Sequence, residues 1–280
     1  MRYRNSLVRS SDMPLLNLDR CSIHYEEYGA GEPVLLVPGS GARGRTWMYQ
    51  VAALTGAGYR TVTIDNRGAG LSAPVPGPLS LSELVEDLRD FTEAYFTTPF
   101  RLVGVSLGAL VAQEFLTMTN SVRQAVLIAS RARPDAYGRA LTVADHALTE
   151  SGTTLPPVYE AAVRAAQTLS PRTLADDDAV RMWLDLFEMS QNDGSGPYAH
   201  AQLSAQLTED RRAAYAAIVT PCLVLSFADD IITPPSRGAE LAEAIKGAGH
   251  VVIPDAGHAG HIEQPEAVNG EMLRFFNAFR

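Results

Sequence analysis

One stretch limits what this chain can fold into more than any other: Arg101-Leu102-Val103-Gly104-Val105-Ser106-Leu107-Gly108-Ala109-Leu110-Val111-Ala112-Gln113-Glu114-Phe115. Leu102, Val103 and Val105 are apolar and partly β-branched, as in a short buried strand. From Leu107 the period changes, and Leu107, Leu110, Val111 and Phe115 recur at helical spacing. Gly104-x-Ser106-x-Gly108 lies at the change. A serine on a sharp strand-to-helix turn is held in a strained backbone conformation, and side chains two residues to either side would collide with the turn. Its hydroxyl projects, and the next backbone N–H points outward from a helix N-terminus. The stretch is open to two readings, a seated nucleophile or a glycine-containing turn with a solvated serine. A nucleophile requires a base, an acid and oxyanion donors from elsewhere in the chain.

The remaining 265 or so residues, at about the size of one large domain, have room for them. The chain has 280 residues, 46% of them hydrophobic, enough for a full core in one α/β domain or in a domain with an inserted part. A net charge of −9 offers no basic footprint for nucleic acid or an anionic membrane. Cys21 and Cys222 are far apart in apolar contexts, which suits small buried thiols in a reducing, cytoplasmic setting and gives neither a disulfide framework nor metal-ligand spacing. No apolar run approaches membrane-spanning length. Residues 1–13 are basic without an apolar region after them and read as a loose leader.

Strand and helix patterns alternate along most of the chain. Short strands are expected at 15–18 and 22–28, then a fully buried one at Val34-Leu35-Leu36-Val37. That strand runs into Pro38-Gly39-Ser40-Gly41-Ala42-Arg43-Gly44, which lacks the endings of a phosphate loop or a dinucleotide fingerprint. It is either a plain glycine turn or, beside a nucleophile, the second half of an oxyanion hole, with the Ser40 N–H joining that of Leu107. A helix is expected from Thr46 to Ala57 and a strand over 60–64. The loop Asp65-Asn66-Arg67-Gly68-Ala69-Gly70-Leu71-Ser72 reads as supporting structure locked by an Asp65–Arg67 pair, because acyl transfer needs no second carboxylate. Ser80-Leu81-Ser82-Glu83 is a capping box that opens a helix. A buried strand is expected at 125–129.

Between residues 131 and 215 the texture shifts to Ala, Leu, Asp and Arg, broken at Pro134, Gly152, Pro156-Pro157, Pro171 and the 192–197 stretch. Four or so helices are expected there as an inserted lid, with residues 1–130 and 216–280 forming the core domain. Trp183, Phe187 and Met189 either line a pocket or pack as ordinary core, and Asp176-Asp177-Asp178 reads as a solvated helix start. Strands resume at 222–227 and 250–254. Each ends in a loop with chemistry to offer, Asp229-Asp230 in one and His258 in the other, and a C-terminal helix follows. The alternation implies a mostly parallel sheet, with Ser40, Ser106, Asp230 and His258 all at the carboxyl ends of strands. His261, one turn beyond His258, reads as exposed or supporting, and His250 as structural.

A histidine suits the activation of serine near neutral pH, and a carboxylate holds its tautomer. The order serine, then Asp229 or Asp230, then His258 is that of one hydrolase fold. The chain resembles the lid-bearing α/β-hydrolase superfamily over residues 15–130 and 218–280. The resemblance rests on Val37-Pro38-Gly39-Ser40-Gly41, Asp65-x-Arg67-Gly68-x-Gly70-x-Ser72, Gly104-x-Ser106-x-Gly108, Asp230-x-Ile232-x-Pro234 and Asp255-x-Gly257-His258-x-x-x-x-Glu263-x-Pro265. It implies an eight-stranded, mostly parallel sheet with helices on both faces and a helical lid. It also implies Ser106 as nucleophile, His258 as base and Asp230 as acid, since members usually carry a proline four residues after the acid and Pro234 fits. Pro38 departs from the histidine that commonly precedes the oxyanion glycine, so the packing of that loop should differ. Serine at the elbow sets the chain apart from dehalogenases and epoxide hydrolases, which use aspartate there.

The function so implied is hydrolysis of an ester or thioester of a small, largely apolar molecule, with no cofactor, metal, nucleic acid or membrane partner. The alternative is the same triad performing a lyase, cyclising or C–C-cleaving step, as in members acting on bacterial secondary metabolites. A binding protein that has kept only the fold is a third class, and the intact set of triad residues argues against it.

Overall fold

The protein is described from a computed structural model covering residues 14–191 and 201–278. The expected leader and the 192–197 break lie outside the described residues. The strands are β1 (Leu15–Asn17), β2 (Ser22–Tyr28), β3 (Glu32–Val37), β4 (Tyr59–Ile64), β5 (Phe100–Val105), β6 (Val122–Ile128), β7 (Cys222–Phe227) and β8 (Gly249–Ile253). They form one eight-stranded sheet in the order β1-β2-β4-β3-β5-β6-β7-β8. β1 and β2 pair antiparallel, as does β2 with β4, and every other pairing is parallel.

The helices are α1 (Met48–Gly56), α2 (Leu81–Tyr95), α3 (Leu107–Leu116), α4 (Ala136–Glu150), α5 (Pro157–Thr168), α6 (Pro171–Leu174), α7 (Asp177–Gln191), α8 (Arg212–Tyr215), α9 (Pro235–Ala244), α10 (Gly260–Glu263) and α11 (Pro265–Asn277). Alternation along the strands divides the core in two. Leu35, Val37, Leu102, Leu127 and Val224 pack with α2, α3 and α9 on one face. Val34, Leu36, Val103, Val126 and Leu225 pack with α1 and α11 on the other. Successive residues of a strand point to opposite faces, so a continuous apolar run such as Val34–Val37 is what a doubly covered strand needs. At Ser80 the capping box forms in both directions, the serine side chain accepting from the Glu83 N–H and Glu83 accepting from the Ser80 N–H.

Local boundaries differ from the sequence pattern in small ways. The helix expected from Thr46 is a 3-10 turn over Gly44–Trp47 that becomes helical at Met48. Between β6 and β7 the described residues form helices and no strand, and α5 packs on α7 through Ala161, Ala165, Leu169, Trp183 and Phe187. Trp183 and Phe187 are therefore packing residues, whereas Met189 is exposed. Asp176 accepts the N–H groups of Asp178 and Ala179 at the start of α7, as a solvated helix cap does. Among the described residues no helix is long and apolar enough to cross a membrane.

The strand order reverses at β3. β4 lies on one side of it and β5 on the other, so the carboxyl ends of β3 and β5 flank the point where open parallel sheets take ligands. Ser40 follows the first of these strands and Ser106 the second.

Candidate active site

Ser106 carries φ 53° and ψ −118° at the start of α3. For a residue with a Cβ this conformation costs roughly 1–3 kcal/mol, which the surrounding structure must hold in place. The turn is held from both sides. The Ser106 N–H donates to the Ile128 carbonyl at 2.9 Å, and its own carbonyl accepts from Ala109 and Leu110 at 3.0 Å each. A Cβ on Gly104 would overlap the Gly108 carbonyl, so the sharp bend requires glycine there. A Cβ on Gly108 would overlap the Val37 carbonyl and lie 2.5 Å from that of Pro38. The glycine at 108 thus lets the end of β3 press against the first turn of α3, and Gly39 comes to rest beside the Ser106 side chain.

Three of the candidate residues form a relay. His258 Nε2 lies 2.9 Å from Ser106 Oγ, and His258 Nδ1 lies 2.8 Å from Asp230 Oδ2. Asp230 is 2% exposed. Its Oδ1 accepts the N–H groups of Ile232 and Thr233 at 2.8 and 2.9 Å, and its Oδ2 accepts the Thr233 hydroxyl at 2.7 Å. Burial pushes the carboxyl up, but the His258 charge, the His258 hydrogen bond and the Thr233 donors outweigh it, and the group is held below the usual carboxylate range. Asp229 is half-exposed and contributes its backbone N–H to the Ala256 carbonyl at 2.9 Å.

The two expected oxyanion donors are both backbone groups. The Leu107 N–H belongs to the first turn of α3, where helical N–H groups have no intrahelical acceptor. Neither it nor the Ser40 N–H has a partner among the described residues. The Pro38 carbonyl, at the start of the Ser40 loop, is held by Asn66 Nδ2 at 3.0 Å.

The loop 65–72 supports the site, though the expected Asp65–Arg67 pair does not form. Asp65 accepts the N–H groups of Gly44 and Leu71 at 2.6 and 2.9 Å and lies 3.2 Å from His24 Nδ1. Its desolvation is outweighed by those partners, which keep the carboxyl below its ordinary range. Arg67 turns away to Asp87 on α2, Nε to Oδ2 2.7 Å. The two side chains therefore serve different elements, Asp65 facing His24 on β2 and Arg67 facing Asp87 on α2.

His261 is neither exposed nor in the relay. It is 7% exposed, stacked at a tilt on Trp47 with ring centroids 5.1 Å apart, and its carbonyl accepts Gln50 Nε2 at 2.8 Å. His250 is structural, with Nε2 2.9 Å from Ser226 Oγ. Cys222 is buried, and Cys21 is half-buried with its thiol 3.5 Å from Asp87 Oδ1. No group of three potential metal ligands occurs among the described residues.

Two supporting residues have no role in the sequence reading. Thr233 serves Asp230 twice, through its N–H and its hydroxyl. Glu263 accepts the Gly257 N–H, next to His258, at 2.7 Å. Both fall inside motifs quoted above, Asp230-x-Ile232-x-Pro234 and Gly257-His258-x-x-x-x-Glu263. Their spacing was visible, but nothing in it shows which way the side chains turn.

The fold has known relatives. A model described as "Alpha/beta hydrolase family" matches residues 34–271. The "Putative non-heme bromoperoxidase BpoC" of Mycobacterium tuberculosis is 41% identical over 257 residues, covering 91% of this chain and 97% of that protein. Its crystal structure superposes with a TM-score of 0.88 over 92% of this chain and 96% of the other. The "Putative carbamate hydrolase RutD" of Klebsiella pneumoniae is 30% identical over 249 residues, 85% of this chain and 89% of that protein. A hydrolase from Pseudomonas aeruginosa of known structure is 26% identical, with a TM-score of 0.78 over 96% of this chain and 99% of that one.

Proposed function

The chain belongs to the alpha/beta hydrolase family, and from that premise we propose that it is a serine hydrolase cleaving an ester or thioester of a small, largely apolar molecule. The observation that carries this reading is the relay Ser106 Oγ to His258 Nε2 at 2.9 Å and His258 Nδ1 to Asp230 at 2.8 Å, with the serine on a strained helix N-terminus.

In this reaction Ser106 Oγ attacks the acyl carbon while His258 Nε2 takes its proton. Asp230 keeps the Nδ1–H tautomer and stabilises the imidazolium. The carbonyl electrons move onto oxygen, and the Leu107 and Ser40 N–H groups receive that charge. When the tetrahedral adduct collapses, the bond to the leaving alcohol or thiol breaks and His258 returns the proton to it. The Ser106 acyl ester remains. Water, deprotonated by His258, attacks it through a second oxyanion, releasing the acid and restoring Ser106. A carbamate, the substrate class in one relative's name, presents the same kind of acyl carbon to the serine. In the same reading residues 131–215 act as a lid that sets substrate choice, and their amides should exchange faster than those of β5 and β6.

The test is mass spectrometry after incubation with an organophosphonate, followed by a panel of acyl esters, thioesters and a carbamate. One adduct at Ser106 is expected, and Ser106→Ala should abolish it and lower turnover roughly 10⁴-fold. An adduct on another serine with Ser106 unmodified overturns the assignment. A parallel assay of bromide oxidation by hydrogen peroxide tests the activity in the name of the 41% identical relative.

A further inference from the structure

The loop carrying Ser40 is glycine-rich, exposed at its tip and asked to hold one N–H in a fixed direction. Its ends are anchored by the 65–72 loop. Asn66 holds the Pro38 carbonyl at 3.0 Å, and Asp65 holds the Gly44 N–H at 2.6 Å. Between these anchors the chain makes a turn over residues 39–42, closed by the Ala42 N–H on the Gly39 carbonyl at 3.2 Å. Gly41 has φ 64° at the third position of that turn, and Ser40 before it is not in the left-handed region. That is the type II pattern, which needs glycine there. Such a turn interconverts with its type I form by rotating the central peptide, here the Ser40–Gly41 unit. A glycine at the third position leaves that rotation sterically open.

The Gly41 N–H of this central peptide donates to Gln202 Oε1 at 2.8 Å. Gln202 lies in a short 3-10 turn over Ala201–Ser204, on the chain between β6 and β7, and is 0% exposed. The other end of its amide is also engaged, Nε2 donating to the Arg67 carbonyl at 2.8 Å. An acceptor is needed on one side and a donor on the other, and a carboxamide supplies both without charge. The backbone beside it is docked independently, since the Leu79 N–H donates to the Ala201 carbonyl at 2.8 Å.

We infer that Gln202 is a positioning residue for the oxyanion hole. It pins the Ser40–Gly41 peptide so that the neighbouring Ser40 N–H stays directed at the acyl oxygen, and the segment between β6 and β7 thereby completes the site. The inference rests on the serine-hydrolase reading above and adds a residue to it. A pinned hole matters most when charge is on the oxygen, so Gln202 acts on the transition state and little on substrate binding.

The experiment compares the wild type with Gln202→Leu and Gln202→Glu. It measures the rate of Ser106 phosphonylation by a neutral organophosphonate, kcat and KM on a p-nitrophenyl ester, and thermal unfolding. Gln202→Leu should lower both the phosphonylation rate and kcat by on the order of 10–100-fold, with KM changed less than about threefold. In Gln202→Glu a protonated carboxyl keeps acceptor and donor, and an ionised one repels the Arg67 carbonyl. Burial raises the carboxyl pKa. The variant-to-wild-type rate ratio should therefore climb towards one as pH falls and drop as pH rises. A folded Gln202→Leu phosphonylated within about twofold of wild type, the smallest change that speaks to an oxyanion donor, overturns the inference. So does a Gln202→Glu ratio that is flat with pH, which decides the matter if the leucine variant does not fold. If wild-type Ser106 is not labelled at all, the serine-hydrolase reading has failed. If it is labelled and the variants match it, only the role of Gln202 has.

Discussion

Glu263 reaches back six residues to accept the Gly257 N–H at 2.7 Å, one position before His258. Its other oxygen accepts the Ser170 N–H and hydroxyl at 2.9 Å each and the Thr173 hydroxyl at 2.6 Å. The Ala259 N–H donates to the Thr168 carbonyl at 2.9 Å, and a Cβ on Gly257 would lie 2.5 Å from the same oxygen. The loop carrying His258 is thus clamped to the end of α5 and the start of α6. The segment between β6 and β7 touches the histidine loop here and the Ser40 loop through Gln202.

Replacing Glu263 with alanine should therefore do more than destabilise. It leaves the Gly257 and Ser170 N–H groups without their acceptor, at about 1–3 kcal/mol. We expect kcat to fall about tenfold with little change in KM, because a drifting His258 weakens proton transfer and leaves ground-state binding alone. Glu263→Gln, which keeps one acceptor, should recover part of the loss. Unchanged kcat in a folded Glu263→Ala enzyme would show that the clamp is irrelevant to catalysis.

Asp230 and Asp229 are neighbours with opposite surroundings, so asparagine at each separates them. Asp230→Asn turns a donor towards the Ile232 and Thr233 N–H groups or loses the Nδ1–H tautomer of His258. Turnover should fall roughly 10³–10⁴-fold. Asp229→Asn keeps the backbone hydrogen bond to Ala256 and should stay within about twofold, the ordinary range for a change away from the core. Steady-state kinetics on one activated ester decides it, and reversed effects would transfer the acid to Asp229.

The burial of His261 predicts an acid limb in stability. Burial, with the His258 charge acting the same way, pushes its pKa down to about 3. An unfolded histidine titrates near 6.5. Between those values the unfolded chain binds a proton that the native state refuses, so stability is lost as pH falls from about 6.5 towards 3. His261→Phe removes this linkage. Between pH 7 and pH 4 the variant should lose less stability than the wild type, by on the order of 3 kcal/mol. Urea unfolding at the two pH values measures it, and parallel losses would refute the assignment of a buried neutral imidazole.

Two glycines in helices should respond oppositely to alanine. At Gly108 the new methyl meets the backbone of Val37 and Pro38, which cannot move aside without shifting the Ser40 loop. We expect loss of activity and a melting temperature lower by several degrees. At Gly270, within α11, a Cβ meets nothing within 4 Å, and alanine should stabilise by about 0.5–1 kcal/mol through helix propensity. Thermal unfolding of the two variants tests the contrast, and a Gly108→Ala enzyme with wild-type stability and turnover would contradict the packing described.

What the sequence determined by itself is local. The elbow at Ser106 could be read because its glycines act at two residues' distance, where backbone sterics leave few choices. The strands could be read from their periods, and the Ser80 cap from a reciprocal bond spanning three residues. The preference for Asp230 over Asp229 follows from a resemblance, on one proline at a fixed spacing; in the structure the Asp230 carboxylate lies 2.8 Å from His258 Nδ1 and is bracketed by two N–H groups. Only the tertiary structure decided the rest. Asp65 and Arg67 looked like a pair, but β2 supplies His24 to one and α2 supplies Asp87 to the other. His261 became a buried residue because Trp47, more than two hundred positions earlier, covers it. Gln202 sits in a segment with no motif, and its two partners lie 161 and 135 residues away. A period or a cap records the φ and ψ of neighbours, whereas these partnerships exist only once the strand order has folded distant loops onto one edge of the sheet.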